Sequence, residues 1–320
     1  MLAVIIGYGT TANSHARILQ QEGVVLESVV GRVAERTEEF AQRHGFRHWT
    51  TDLAAALARP GVEVVVICSP SALHAEQTEQ ALLAGKHVLV EIPLAMSYPA
   101  AEWLTRLAEQ RGLTLMVAHT HRYGPAIRQV KRRIAAGELT VHNIVSRYVF
   151  LRRENVDLTG HRRSWTDNLL WHHGCHATDM CLWLLGETEP GQVTATAQVA
   201  PPDAKMGIPM DLSILLRTRG AALASVNMSY NSHLSIYDYL IVGAETTLLV
   251  SEGKLIGPEG VLLDPAQWPK NDSPQLLQDR EFLAAVRERR QPAISGQSVL
   301  PAMWALQQVE LSSTPARALP

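Results

Sequence analysis

His172, His176 and Asp179 fall four and three residues apart within Trp171-His172-His173-Gly174-Cys175-His176-Ala177-Thr178-Asp179. Side chains on a helix meet every three to four residues, so this spacing predicts three polar groups about one turn apart on one face. The neighbours are Leu, Trp, Met and Cys, and a polar stripe on such a helix suits a wet cleft better than a core. An imidazole with an ordinary pKa of about 6.5 can act as a general base near neutrality, which is typically worth ~10²–10⁴-fold in rate. His176 is the first choice for that base, with Asp179 to orient or charge-stabilise it and His172 to bind substrate or relay the proton. The same side chains are also compatible with satisfied core or surface groups, and on paper with a metal site of two histidines and one carboxylate.

A redox partner is written at the N-terminus. The apolar run Met1-Leu2-Ala3-Val4-Ile5-Ile6 enters Gly7-Tyr8-Gly9-Thr10-Thr11-Ala12, followed by His15-Ala16-Arg17-Ile18-Leu19. Strand, Gly-x-Gly-x-x-Ala, then helix is the dinucleotide fingerprint. Gly7 permits the tight turn, Gly9 lets a pyrophosphate approach the backbone, and Ala12 lets helix pack on strand. The phosphates then rest on the helix N-terminus beside Thr10 and Thr11, where unpaired amides and the helix dipole favour an anion. The second strand, 26–30, ends at Gly31-Arg32. A site for NAD usually has an acid there, about 20 residues past the glycines, to hold the ribose 2′-hydroxyl. Gly31 leaves room instead and Arg32 offers a planar fork for phosphate, which predicts NADP over NAD. With the dinucleotide supplying the redox chemistry, no metal is expected.

The elements that must position these residues follow from pattern. Strands at 62–68, 87–91 and 113–118 alternate with helices at 34–44, 73–84 and 99–111, which predicts a doubly wound parallel sheet. Past residue 120 come longer strand-like runs at 142–150, 193–199, 212–217, 222–230 and 237–242. They predict an α+β domain with a large, mostly antiparallel sheet. The expected organisation is therefore a Rossmann domain over 1–119 and a substrate-binding and oligomerisation domain over 120–320. A chain of 320 residues suits about two domains of ~150 each, and an apolar content of 46% can fill two cores. A late helix over 274–289 has no evident place in either.

Net charge near −2 gives no basis for binding nucleic acid or an anionic membrane. Cys68, Cys175 and Cys181 cannot all pair, and none lies in a Cys-x-x-Cys, which suits a reducing cytoplasm. Met1 leads straight into a strand, so no secretory leader is expected, and no stretch is apolar enough to span a bilayer.

Gly-x-Gly-x-x-Ala, Glu91-Ile92-Pro93 after Ala84-Gly85-Lys86-His87-Val88, and Gly174-x-His176-x-x-Asp179 before Trp183-Leu184-Leu185-Gly186 together resemble the Gfo/Idh/MocA oxidoreductases. The resemblance covers nearly the whole chain. Val90-Glu91-Ile92-Pro93-Leu94-Ala95, Arg163-Ser164-Trp165-Thr166-Asp167-Asn168-Leu169-Leu170-Trp171-His172-His173 and Gln278-Asp279-Arg280-Glu281-Phe282 look closer to one branch. That branch is the 4-carboxy-2-hydroxymuconate-6-semialdehyde dehydrogenases of protocatechuate cleavage. Most of the family carries Lys where Ile92 stands and Asp where His172 stands. The branch implies oxidation of a cyclic hemiacetal to 2-pyrone-4,6-dicarboxylate with reduction of NADP.

The resemblance also implies a cofactor site of Gly7, Gly9, Thr10, Thr11, Ala12, Arg32, Ser69, Pro70, His74, Glu91 and Pro93. For a small dianionic substrate it implies Arg122, Arg152, Arg153 and Arg163, with Trp165 and His173 nearby. In most of the family the lysine at the Ile92 position helps move the alcohol proton. Isoleucine cannot, so the work falls to His176, and a hemiacetal hydroxyl, more acidic than a plain alcohol, demands less of it. Some positions depart from the branch: His121 stands where an Arg is usual, 237–240 lacks an expected Arg, and the loop between Tyr230 and Tyr237 looks short. Two other readings stay open. One is a family dehydrogenase of a sugar, inositol or related cyclic alcohol. The other is a dinucleotide-binding sensor or scaffold without turnover, which the missing lysine favours. A homo-oligomer, dimer or tetramer, is expected from the family's fold.

Overall fold

The computed structural model describes residues 1–156, 169–269 and 272–313. Arg163 and Trp165, both expected near the substrate, lie outside the described residues. Two compact units emerge. The first comprises Met1–His119 and Gln275–Val299; the second comprises Thr120–Val156, 169–269, 272–274 and 300–313.

The chain begins β1 (Leu2–Ile6), α1 (Thr10–Gln21), β2 (Val25–Val30), α2 (Ala34–His44), β3 (His48–Thr50), α3 (Leu53–Leu57) and β4 (Val62–Ile67). It continues with α4 (His74–Leu83), β5 (His87–Val90), α5 (Tyr98–Gln110) and β6 (Leu115–Val117). The six strands form one parallel sheet in the order β3-β2-β1-β4-β5-β6. Strands covered on both faces read as unbroken apolar runs, and β4, Val-Glu-Val-Val-Val-Ile, is buried everywhere except Glu63. Each such buried Val or Ile contributes roughly 1.5–3 kcal/mol of apolar burial. Helix α1 buries Ala12, His15, Ala16 and Leu19, the i, i+3, i+4, i+7 stripe that faces a sheet. Ser97 caps α5 by accepting from the Ala100 amide, and Pro99 sits in its first turn.

The second unit holds α6 (Pro125–Ala135), β7 (Val141–Leu151), α7 (His173–Leu184), β8 (Thr194–Val199), β9 (Asp211–Arg217), β10 (Leu223–Ser229) and β11 (Asn231–Gly243). The hairpin strands β12 (Thr247–Ser251), β13 (Lys254–Gly257) and β14 (Gly260–Leu263) complete an eight-stranded sheet, ordered β14-β13-β12-β11-β7-β10-β9-β8. All its pairings are antiparallel except β7 with β10. In β9 every second residue is buried, the period of a strand with one face on a core. Helix α7 supplies much of that core through Cys175, Ala177, Met180, Cys181 and Leu184.

Two details differ from the sequence reading. Strand β11 starts at Asn231, so the segment after Tyr230 is an irregular strand rather than a shortened loop; its register against β7 shifts between Asn231 and Ile236. The late helix α8 (Pro274–Glu288) packs in the first unit, where Leu276, Gln278, Asp279, Phe282 and Leu283 are buried. The last helix, α9 (Gly296–Ser313), continues into the second unit. Among the described residues no helix is long and apolar enough to cross a membrane.

Candidate active site

In the first unit the residues of the glycine loop converge at the carboxyl ends of β1, β2 and β4. Gly7 has φ +111°, and a Cβ there would lie 2.6 Å from the Cys68 carbonyl oxygen, so only glycine fits. Gly9 is the N-cap of α1 and brings no side-chain cap to its amides; a Cβ on it would meet nothing within 4 Å. Thr10 and Thr11 are exposed and Ala12 is buried. Open space over uncapped helix amides, with no acid in the first turn, is what a pyrophosphate requires, and the loop fits a dinucleotide. Gly31 is equally constrained, since a Cβ would fall 2.2 Å from Thr37 Oγ1 and 2.5 Å from the Tyr8 ring. Arg32 follows it, exposed, and Arg36 on α2 lies 5.1 Å over the Tyr8 ring, a basic rather than acidic end to β2.

The remaining cofactor candidates are brought to the same edge with different parts to play. Ser69 and Pro70 form the turn after β4, where the Ser69 hydroxyl donates to Gln77 Oε1. His74 is buried and links two loops through contacts with the carbonyls of Pro93, at 2.7 Å, and Ser69, at 2.9 Å. Ile92 is buried as well, 4% exposed. Glu91 directly follows β5 and points its carboxylate at His15 Nε2, 3.0 Å away.

His15 was not among the sequence candidates. Its other ring nitrogen, Nδ1, lies 2.7 Å from Asp279 Oδ2 on α8. Burial pulls its pKa down, but Asp279 first and then Glu91 outweigh burial and raise it to about 10. The partners are 264 and 76 residues away in sequence, so no local pattern could reveal them.

In the second unit α7 starts at His173, with His172 as its N-cap, so the three-residue face reduces to His176 and Asp179 on the helix proper. Asp179 is 2% exposed and Arg122 is 5% exposed. Arg122 Nε donates to Asp179 Oδ2 at 2.8 Å, and Nη2 donates to Oδ1. The guanidinium also lies 5.1 Å over Trp183, whose ring carries Lys131 at 4.9 Å. Arg122, expected to hold substrate, thus has its planar fork on Asp179, while Asp179, expected to serve His176, binds Arg122. Burial, then Arg122, lowers the Lys131 pKa.

His176 stacks on a residue that the sequence marked only as a departure: its ring centroid is 4.3 Å from that of His121. His121 Nδ1 is 2.6 Å from the Tyr237 hydroxyl, which is 2.8 Å from the Tyr239 hydroxyl. Tyr237 pairs across the sheet with Tyr148, the ring centroids 4.6 Å apart. His173 Nδ1 meets the Tyr230 hydroxyl, and the His173 ring packs on Tyr148 and Phe150. Burial pushes the Tyr148 phenol up to about 12, and burial raises Tyr237 and Tyr239 as well. These phenols stay protonated at neutral pH, which leaves imidazoles to take up protons. The signal for this aromatic wall was the period-two spacing of Tyr148 with Phe150 and of Tyr237 with Tyr239, each pair on one face of a strand.

Just past the end of β7, Arg152 lies 5.1 Å over the Tyr230 ring and donates to Asn155 Oδ1 at 2.8 Å. Arg153 donates to Asn231 Oδ1 at 2.6 Å. Among the described residues no group of three His, Cys, Asp or Glu could hold a metal ion.

Residues 1–119 match the family model described as "Oxidoreductase family, NAD-binding Rossmann fold", and 125–259 match "Bacterial oxidoreductases, C-terminal". The chain is 36% identical over 317 residues to 4-carboxy-2-hydroxymuconate-6-semialdehyde dehydrogenase of Sphingobium sp. (strain NBRC 103272 / SYK-6), covering 97% of this chain and 98% of that protein. It is 29% identical over 137 residues to scyllo-inositol 2-dehydrogenase (NAD(+)) of Bacillus subtilis (strain 168), covering 42% of this chain and 40% of that protein. Levoglucosan dehydrogenase in complex with NADH shares the fold, with a TM-score of 0.83 and 20% identity over 98% of this chain and 96% of that one.

Proposed function

The chain belongs to the Gfo/Idh/MocA family of NAD(P)-dependent oxidoreductases, and from that premise we propose that it is an NADP-dependent dehydrogenase of the cyclic hemiacetal of 4-carboxy-2-hydroxymuconate-6-semialdehyde. The product is 2-pyrone-4,6-dicarboxylate. The observation that carries this reading is the His121–His176 stack on an aromatic wall, with Arg152 and Arg153 just past the end of one of that wall's strands. Full-length similarity to the Sphingobium enzyme supports the substrate.

When bound, the dinucleotide supplies the acceptor for the hydride that leaves the hemiacetal carbon. The protein must then accept the hydroxyl proton as the C=O bond forms, and His176 takes it. Ile92 removes the alternative of a lysine base, and the neutral phenols of Tyr148, Tyr237 and Tyr239 are donors at neutral pH. Arg152 and Arg153 hold substrate carboxylates, for which a planar two-donor fork is suited. Arg122 acts through Asp179, fixing α7 and thereby His176. His172 and His173 flank the substrate, His173 held by Tyr230. The basic end of β2, Arg32 with Arg36 close by, supports NADP over NAD.

Three free cysteines support a reducing compartment such as the cytoplasm. Exposed Leu215, at 61%, and Leu223, at 48%, on the open face of the second sheet support a homo-oligomer. The partial match to an inositol dehydrogenase favours one other reading, a cyclic polyol as substrate.

Purified protein given freshly generated semialdehyde, with NADP and NAD in separate reactions, tests the proposal. Fast NADPH formation with appearance of the pyrone dicarboxylate is expected. Turnover of scyllo-inositol but not of the semialdehyde overturns the substrate, and faster use of NAD overturns the cofactor preference.

A further inference from the structure

A buried imidazole in the interior of the first unit sits between two carboxylates. His15 lies on the buried face of α1 and is fully buried, as is Asp279. Both His15 ring nitrogens face carboxylate oxygens, at 2.7 Å and 3.0 Å. A neutral imidazole has one N–H and so satisfies one of them; the geometry calls for two donors and therefore the imidazolium. Its raised pKa agrees. The other polar groups around it are the Gln278 amide, which donates to Asp279 Oδ1 at 3.3 Å, and the Cys68 thiol, whose pKa burial and the two carboxylates push up. Two carboxylates and one imidazolium leave one surplus negative charge.

Of the three charged side chains only Glu91 reaches solvent, 20% exposed against 0% for His15 and Asp279. It does so at the carboxyl end of β5, next to β4. Strand order reverses between β1 and β4, and ligands of such sheets bind outside the carboxyl ends at that switch point. The β1–β2 half carries the glycine loop, so the β4–β5 half receives the second mononucleotide.

We propose that His15 and Asp279 are positioning residues for Glu91, holding its carboxylate in place to accept hydrogen bonds from the hydroxyl or amide donors of the cofactor's second mononucleotide. The proposal rests on the dinucleotide reading above. Without the cation, Glu91 and Asp279 become neighbouring like charges, and one of them takes up a proton as pH falls.

The test is the dissociation constant of NADP, read by tryptophan fluorescence across pH, for wild type and for His15→Gln, Asp279→Asn and the double variant. Wild-type affinity is expected to stay flat between about pH 6 and pH 9. His15→Gln is expected to bind about tenfold more weakly at low pH than at high pH. Adding Asp279→Asn removes the like charge and restores a flat profile. A merely structural His15 predicts the opposite: equal weakening at every pH and a double variant worse than the single.

Should His15→Gln not fold, Asp279→Asn alone decides. His15 then keeps only Glu91, loses its proton sooner, and NADP affinity falls as pH rises; an unchanged profile overturns the proposal. Histidine-labelled wild type gives an independent readout, since nitrogen NMR is expected to show one ring doubly protonated at pH 9, below the folded pKa of about 10. If every ring is neutral there, the proposal fails while NADP binding by wild type leaves the dinucleotide reading standing. If wild type binds neither NADP nor NAD, both fall.

Discussion

Arg122 grips Asp179 through two parallel hydrogen bonds, from Nε and Nη2, inside the second unit and one turn of helix from His176. Removing one partner of a buried pair is costly because the other charge remains without water. Asp179→Ala is therefore expected to lower the unfolding free energy by about 3–5 kcal/mol. Asp179→Asn keeps an acceptor and is expected to lose less. Urea unfolding of both variants checks the order; an alanine variant as stable as wild type would show that the pair contributes nothing.

His176→Ala is expected to reduce turnover by roughly 10²–10⁴-fold with NADP affinity kept. His121→Phe preserves the stacked ring but removes the contact with Tyr237, and a smaller loss is expected. The measurement is kcat beside the NADP dissociation constant in each variant. Near-normal turnover in His176→Ala would move the proton to another group.

The first unit was legible because its signals are local. Gly7 needs a left-handed turn, Gly31 a close approach, and β4 an unbroken apolar run; each is written in consecutive residues. The second unit was legible as a sheet, but strand limits blurred where β11 runs irregularly from Asn231. Helix α7 was legible as a helix, but the partners that its face meets were not. Spacing put Asp179 beside His176, and spacing cannot show that Arg122, from a separate element 57 residues away, takes both carboxylate oxygens. The His15 cluster escaped for the same reason, since its charges come from three elements distant in sequence.

Stability should fall in mild alkali because of His15. Its folded pKa, about 10, lies above the ordinary imidazole value of 6.5. The folded state therefore holds the proton more tightly, and the stabilisation is complete below about pH 6.5 and lost as pH rises through about 10. Over that window the unfolding free energy from this one group falls by about 1.4 kcal/mol per pH unit. Denaturant midpoints of wild type and His15→Gln should converge as pH climbs. Parallel curves would rule out a charged His15 in the folded state.

Gly7 and Gly9 should fail in different ways. Gly7→Ala places a Cβ 2.6 Å from the Cys68 carbonyl at φ +111°, and a loss of stability of about 1–3 kcal/mol or more is expected from backbone strain. Gly9→Val points into open space in the protein itself, so a thermal midpoint near wild type is expected. The valine would occupy the room over the α1 amides, and dinucleotide binding should be lost. Calorimetry with and without NADP separates the two: Gly9→Val should unfold near the wild-type temperature and gain nothing from NADP. A Gly9→Val protein that NADP still stabilises would mean the phosphates rest elsewhere.

Arg32, just past β2, puts a base where a site for NAD usually has an acid. An acid at this position accepts hydrogen bonds from a ribose 2′-hydroxyl, whereas a guanidinium attracts a 2′-phosphate. Arg32→Asp reverses the charge while Gly31 still clears the Tyr8 ring and Thr37. NADP affinity is expected to fall by about 10–100-fold, the range of one charge-assisted hydrogen bond lost. NAD affinity should rise, because the new carboxylate meets a hydroxyl instead of a phosphate. Arg36, over the Tyr8 ring, leaves a second positive charge at this edge, so Arg32→Asp with Arg36→Ala should shift the preference further than the single variant. Titrations of both dinucleotides against all three proteins read the effect directly. Equal ratios of NADP to NAD affinity in wild type and Arg32→Asp would remove Arg32 from cofactor choice.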